Sequence, residues 1–154
     1  MFLFPNVKYL DNVFLILLHL NVPSTDMFKD LYRFTFRFGL ASVVASERGY
    51  FSAEKVIGLK TLPTDMAILL WQLVFSQHEP PILERWIRFL QSHPNVRGIQ
   101  KDTWNMFLNF CETVGSDLSV YDDNEAWPSL FDDFVEYEND QTNQNYETNK
   151  SCKT

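Results

Sequence analysis

The sequence predicts an all-α fold. Apolar residues recur at i, i+3, i+4 and i+7 in several separate segments. No segment sustains the apolar–polar alternation of a half-buried strand. Most of the periodic segments are bracketed by capping residues, proline or glycine. The chain has 154 residues, of which 45% are hydrophobic and 16% aromatic. That is enough apolar material for one domain with a real core, and too much for a globally disordered chain.

The first 23 residues contain an apolar run, Val13 to Val22, broken by His19 and Asn21. It is too short for a membrane span. Lys8 is the one basic residue before it, and no small-residue cleavage pattern follows. Phe2 excludes a myristoylation signal. Ser24, Thr25 and Asp26 form an N-cap cluster for the next helix. There Phe28, Leu31, Tyr32, Phe34 or Thr35, and Phe38 follow helical spacing, and Gly39 reads as the stop. Residues 41–62 show no sustained period and read as a long connection, with a short helix near Ser52–Val56.

LPTDMAILLWQLVF is opened by Pro63 or Thr64 and is nearly all apolar, so it belongs at the centre. PPILERWIRFLQSH starts on two prolines and carries the stripe Leu83, Trp86, Ile87, Leu90. KDTWNMFLNFCETVG places Trp104, Phe107, Leu108 and Cys111 on one face, with Asp102 in the first turn and Gly115 at the end. SDLSVYDDNEA is a turn-rich loop, and WPSLFDDFVEYEND resumes helix with Trp127, Leu130, Phe131 and Phe134 inward. Residues 139–154 are polar and aperiodic and read as a disordered tail.

Charge divides the chain. Residues 1–101 hold 11 Lys/Arg against 8 Asp/Glu, whereas residues 102–149 hold 12 Asp/Glu and no Lys/Arg. Phosphate repulsion excludes nucleic acid as a partner of the C-terminal part. A basic protein partner fits, although a merely soluble acidic surface fits the composition equally well. Cys111 and Cys152 form neither a disulfide framework nor a metal pair, which points to a reducing compartment. The histidines His19, His78 and His93 have no ligand partners nearby in sequence, and no phosphate loop or nucleophile elbow is present. Asp117, Ser119, Tyr121 and Asp122 resemble the start of a calcium loop, but position 6 is not Gly and position 12 is Pro128. Asp132 and Asp133 are adjacent on a helix and point about 100° apart, so they do not form an acid/base pair. A binding module is favoured over an enzyme, with no cofactor, metal or small-molecule substrate expected.

KDTWNMFLNF and SDLSVYDDNEAWPSLFDDFVEY carry a resemblance. The chain resembles the potentiating-neddylation (PONY) domain of the defective-in-cullin-neddylation family. FKDLYRFTFRFGL, LPTDMAILLWQLVF and ERWIRFLQ are similar to that family's preceding helices in the same order. The likeness covers residues 26–40 and 63–138 and is greatest to the third vertebrate-type branch. It implies a partial PONY domain at 26–138, preceded by a divergent apolar segment at 1–25. The family's N-terminal EF-hand-like half would then be missing or replaced.

The resemblance implies a non-catalytic cofactor of a ubiquitin-like protein ligase in cytoplasm and nucleus. Its partners would be the C-terminal winged-helix region of a cullin and the N-acetylated conjugating enzyme of the neddylation pathway. The family's Asp–Ala–Asp cullin contact falls on Asp102, Ala126 and Asp132, with Asp122, Asp133 and Glu136 as an acidic rim. Its conjugating-enzyme pocket would be represented in part by Phe38, Leu70 and Leu73. On residue pattern alone these three are core positions, and Asp102 and Asp132 are a helix-start charge and a solvated carboxylate. With half the pocket wall absent, apolar surface is expected near Phe38, Leu70 and Leu73, or residues 2–20 as its cover. Two alternatives stand beside the cofactor reading. One is a cullin binder that lacks the conjugating enzyme and competes with intact relatives. The other is a calcium-regulated helical module.

Overall fold

The computed structural model describes residues 25–48 and 60–151. The apolar segment at 1–24, the helix expected near Ser52–Val56, His19 and Cys152 lie outside the described residues. Among the described residues there are five helices: α1 Thr25–Arg48, α2 Thr64–Val74, α3 Leu83–Ser92, α4 Lys101–Thr113 and α5 Ser129–Ser151. A 3-10 turn spans Leu118–Val120, and one small sheet pairs β1 (Thr61–Pro63) with β2 (Gly98–Gln100). The class is mostly α, as the periodicity indicates. The elements sort into two compact units, Met1–Glu79 with Val96–Asn105, and Pro80–Asn95 with Met106–Thr154.

In the first unit, α1 begins at the expected cap, with Asp26 in its first turn. It does not stop at Gly39. The helix runs on to Arg48, so residues 41–48 of the expected connection are helical. Gly39 has a packing reason instead. A Cβ there would stand 2.6 Å from Leu70 Cδ1 and 2.9 Å from Leu62 Cδ1, inside normal contact. The period of α1 passes through Tyr32, Thr35, Phe36 and Phe38, all buried, and leaves Phe34 exposed. Thr35 is accommodated because its hydroxyl donates to Leu31 O at 2.8 Å.

The sheet is antiparallel, with Thr61 opposite Gln100, Leu62 opposite Ile99 and Pro63 opposite Gly98. Leu62 and Ile99 are both buried completely. Thr64 then joins β1 to the start of α2: its amide and hydroxyl donate to Arg97 O (3.2 Å) and Val96 O (2.6 Å). The core of this unit is Tyr32, Trp71 and Trp104. The Tyr32 hydroxyl donates to Trp104 O (2.7 Å) and accepts from Trp71 Nε1 (2.8 Å), while Trp104 Nε1 donates to Tyr32 O (2.9 Å). The Trp104 ring stacks on both Tyr32 and Trp71, with centroids 4.9 and 4.8 Å away.

In the second unit, α3 buries Leu83, Trp86, Ile87 and Leu90, the stripe read from the sequence, and Phe89 besides. Trp86 packs against Phe89, Phe107, Phe131 and Phe134 with centroids 5.2–5.6 Å apart. These contacts tie α3 to α4 and α5. Helix α4 ends where expected: Gly115 takes a left-handed φ of 61°, and its amide reaches back to Phe110 O. Helix α5 opens with the Phe131 amide donating to Pro128 O at 2.9 Å. It continues to Ser151, so residues 139–151 are helical where polar composition points to a tail. Residues 139–145 are exposed, which is why no apolar period marks them.

Candidate functional site

The acidic surface is built on the second unit. Its foundation is Phe110, fully buried on α4, whose ring meets Tyr121, Trp127, Phe131 and Phe134. Apolar residues of the loop and of α5 are thereby drawn inward. The carboxylates between them are left in water. Phe131 and Phe134 are completely buried, and Asp132, Asp133 and Glu136 are exposed. One helical period thus fixes which α5 residues can meet a partner.

The loop from Ser116 to Pro128 is shaped by its own carboxylates. Asp117 Oδ1 accepts from the Ser119 amide at 3.0 Å. Asp122 Oδ1 accepts from the Asn124 amide (2.9 Å) and side-chain nitrogen (2.8 Å). These bonds favour the ionised forms and hold both carboxyls below their ordinary value of 3.8. For Asp117 the side-chain contribution of Ser119 leads, and for Asp122 the Asn124 amide leads. Two residues after Asn124, Ala126 is exposed. Asp132 Oδ1 accepts from the Tyr121 hydroxyl at 2.5 Å. Burial first, then the bond to Asp132 and its charge, raise the Tyr121 ionisation, so the phenol stays a donor at neutral pH.

Arg85 braces the same region. Its Nε donates to Glu138 Oε2 at 2.6 Å and its Nη1 to Ser116 O at 3.0 Å, joining α3 to α5 and to the base of the loop. Arg85 lies between Leu83 and Trp86 of the apolar stripe without belonging to it. No local pattern pairs it with Glu138 or Tyr121 with Asp132, because both depend on tertiary placement.

The expected site residues are distributed as follows. Ala126, Asp132 and the rim residues Asp122, Asp133 and Glu136 belong to the second unit and are exposed. Asp102 is exposed in the first turn of α4 and belongs to the first unit. Phe38 and Leu70 are buried in the first unit and Leu73 is half-buried, which is the core placement their pattern suggests. The apolar surface expected around them is instead seen at Phe34 and Leu69, 44% and 40% exposed. Cys111 is a half-buried thiol pushed up to about 12 by burial first and by the Glu112 charge second. It behaves as a small hydrophobe rather than a nucleophile. Among the described residues, no three His, Cys, Asp or Glu groups are placed to hold a metal ion. Among the same residues, no helix is long and apolar enough to cross a membrane.

The described residues define the class as a helical module with a carboxylate-bearing exposed surface. Comparison with known families gives the particular one. The family model described as cullin binding matches residues 15–137, and the chain belongs to that family. The match includes residues 15–25 and the stretch 41–62, beyond the segments whose motifs carry the resemblance. The chain is 53% identical over 114 residues to DCN1-like protein 3 of Homo sapiens, covering 73% of this chain and 33% of that protein. It is 52% identical over 115 residues to DCN1-like protein 3 of Drosophila melanogaster, covering 75% and 29%. For the Xenopus tropicalis protein of the same name the values are 50% over 124 residues, 80% and 37%. The chain spans about a third of the length of the curated relatives it matches.

Proposed function

We propose that this chain is a non-catalytic, cullin-binding scaffold of the neddylation pathway. The observation that carries the reading is the match to the cullin-binding family across residues 15–137. The chemistry of the surface agrees with it. Asp102 and Asp132 are exposed carboxylates that can accept charge-assisted hydrogen bonds from basic side chains of a cullin winged-helix region. Ala126 is small and exposed, so a partner can approach the loop closely. Asp122, Asp133 and Glu136 add a field of the same sign, which speeds encounter with a basic face and weakens with added salt.

In the full activity the scaffold would also hold the charged conjugating enzyme by its acetylated N-terminus. Promotion of transfer would come from effective concentration and restricted orientation, with no covalent step on the scaffold. The double variant Asp102→Ala/Asp132→Arg is expected to lose about 30-fold or more in affinity for a cullin C-terminal winged-helix fragment, roughly 2 kcal/mol. Its thermal unfolding should stay near that of the parent, since both side chains are exposed. Titration calorimetry giving parental affinity for the double variant would remove the patch assignment.

A second reading is favoured by the burial of Phe38 and Leu70, which leaves Leu73 alone of the three partly accessible. The chain would then bind a cullin without the conjugating enzyme and compete with intact relatives. Titration with an acetylated N-terminal peptide of the conjugating enzyme separates the two. Saturable binding supports the bridging scaffold and sinks the competitor.

A further inference from the structure

We propose that Tyr121 is a positioning residue for the cullin-facing surface, orienting Asp132 through its hydroxyl and the Ala126 segment through its ring. The inference rests on the cullin-binding reading above and adds a residue that reading does not contain.

Three observations carry it. The Tyr121 hydroxyl donates to Asp132 Oδ1 at 2.5 Å, within the range of a charge-assisted O–H to carboxylate bond. The Tyr121 ring lies 5.8 Å from Phe110 and stacks at 6.1 Å on Trp127. Trp127 in turn meets Phe110 and Phe131 at 5.7 and 6.0 Å, and both of those rings are fully buried. Trp127 is the residue immediately after Ala126. One side chain therefore touches the carboxylate of the patch and the anchor of its alanine, and is itself seated on the core.

An ionised carboxylate has two oxygens, each able to accept from more than one donor. The phenol occupies Oδ1. Oδ2 has no hydrogen-bond partner among the described residues, and the side chain is exposed, so it can face an incoming guanidinium or ammonium. A free surface aspartate samples several rotamers, and a partner must arrest them on binding. The bond to Tyr121 arrests them beforehand. Phenylalanine at this position would keep the ring contacts and lose only that restraint.

The test is a double-mutant cycle on affinity for the cullin winged-helix fragment, using the full chain. Tyr121→Phe should weaken binding about three- to tenfold in the parent. On an Asp132→Ala background the same change should cost less than about 1.5-fold, because the group it acts through is gone. Parental affinity for Tyr121→Phe, or an equal loss on both backgrounds, overturns the positioning role while leaving the patch intact. Parental affinity for Asp132→Ala, or no binding by the parent chain, overturns the cullin-facing reading and this inference with it. A partner-free readout guards against a folding defect in Tyr121→Phe. The Tyr121 Cζ resonance, followed against pH, should ionise at lower pH in Asp132→Ala than in the parent. An unchanged midpoint means the hydroxyl and carboxylate are not coupled, and the proposal falls.

Discussion

The two compact units bury aromatic rings by different means. In the first, Tyr32, Trp71 and Trp104 are joined by three buried hydrogen bonds as well as by stacking. In the second, Trp86, Phe89, Phe107, Phe110, Phe131 and Phe134 pack as a cluster of faces and edges, and the site's polar chemistry lies outside it. Buried polar bonds demand one geometry, because each unmet partner carries a desolvation cost. Ring packing supplies burial with less demand on exact angles. In the second unit the helical period of α5 leaves Asp132 outside the ring cluster, and the adjoining loop leaves Ala126 exposed.

The largest expected effect tests whether Trp104 is the keystone of the first unit. Trp104→Ala removes a fully buried ring, its stacking on two neighbours and the donor to Tyr32 O. It should cost about 3–5 kcal/mol, the range for truncating a buried aromatic. Amide hydrogen exchange during urea titration should show the loss in α1 and α2. A cost near 1 kcal/mol would mean that the site collapses easily and that the polar bonds add little.

A sharper contrast comes from one chemical change made in both units. Tyr32→Phe deletes the donor to Trp104 O and the acceptor of Trp71 Nε1, in full burial. The expected cost is about 1–3 kcal/mol. Tyr121→Phe deletes a hydroxyl bonded to an exposed carboxylate, which water can replace, and should cost no more than about 0.5 kcal/mol of stability. Equal losses from the two substitutions, measured by chemical denaturation, would erase the distinction between the units.

Much of this was legible because burial follows period. The stripe Leu83, Trp86, Ile87, Leu90 and the face Trp104, Phe107, Leu108 are buried as their spacing requires. What spacing could not reveal had no period to show. Each strand of the sheet is three residues long, and β1 contains Pro63, so no alternation could develop. Gly39 reads as a stop by local propensity, yet Leu62 and Leu70 need the space its missing side chain leaves. Residues 139–145 of α5 bury nothing, so their helicity left no apolar mark. At the site, the exposure of Asp132 follows from its place between Phe131 and Phe134. Its bond to Tyr121 does not, since turns shaped by Asp117 and Asp122 set where that phenol lands.

The smallest expected effect uses acid to separate the units. Asp117 and Asp122 have folded-state ionisation below the ordinary 3.8, caused by donors from Ser119 and Asn124. A depressed carboxyl stabilises the fold above its unfolded value, and that contribution disappears as pH falls through the lower folded value. Between neutral pH and about 4.5 the loop should therefore be unchanged. Below 3.8 the amides of Ser119 and Asn124 should lose their acceptors and shift in proton–nitrogen spectra. Both carboxylates are fully exposed, so the response should remain local to the loop. The three bonds that join Tyr32, Trp71 and Trp104 run between hydroxyl, indole and backbone groups, so the indole resonances should hold still over the same interval. Indole shifts that follow the Ser119 and Asn124 amides would show that the loop's acid response is not local, and the contrast between the two kinds of core would lose its simplest support.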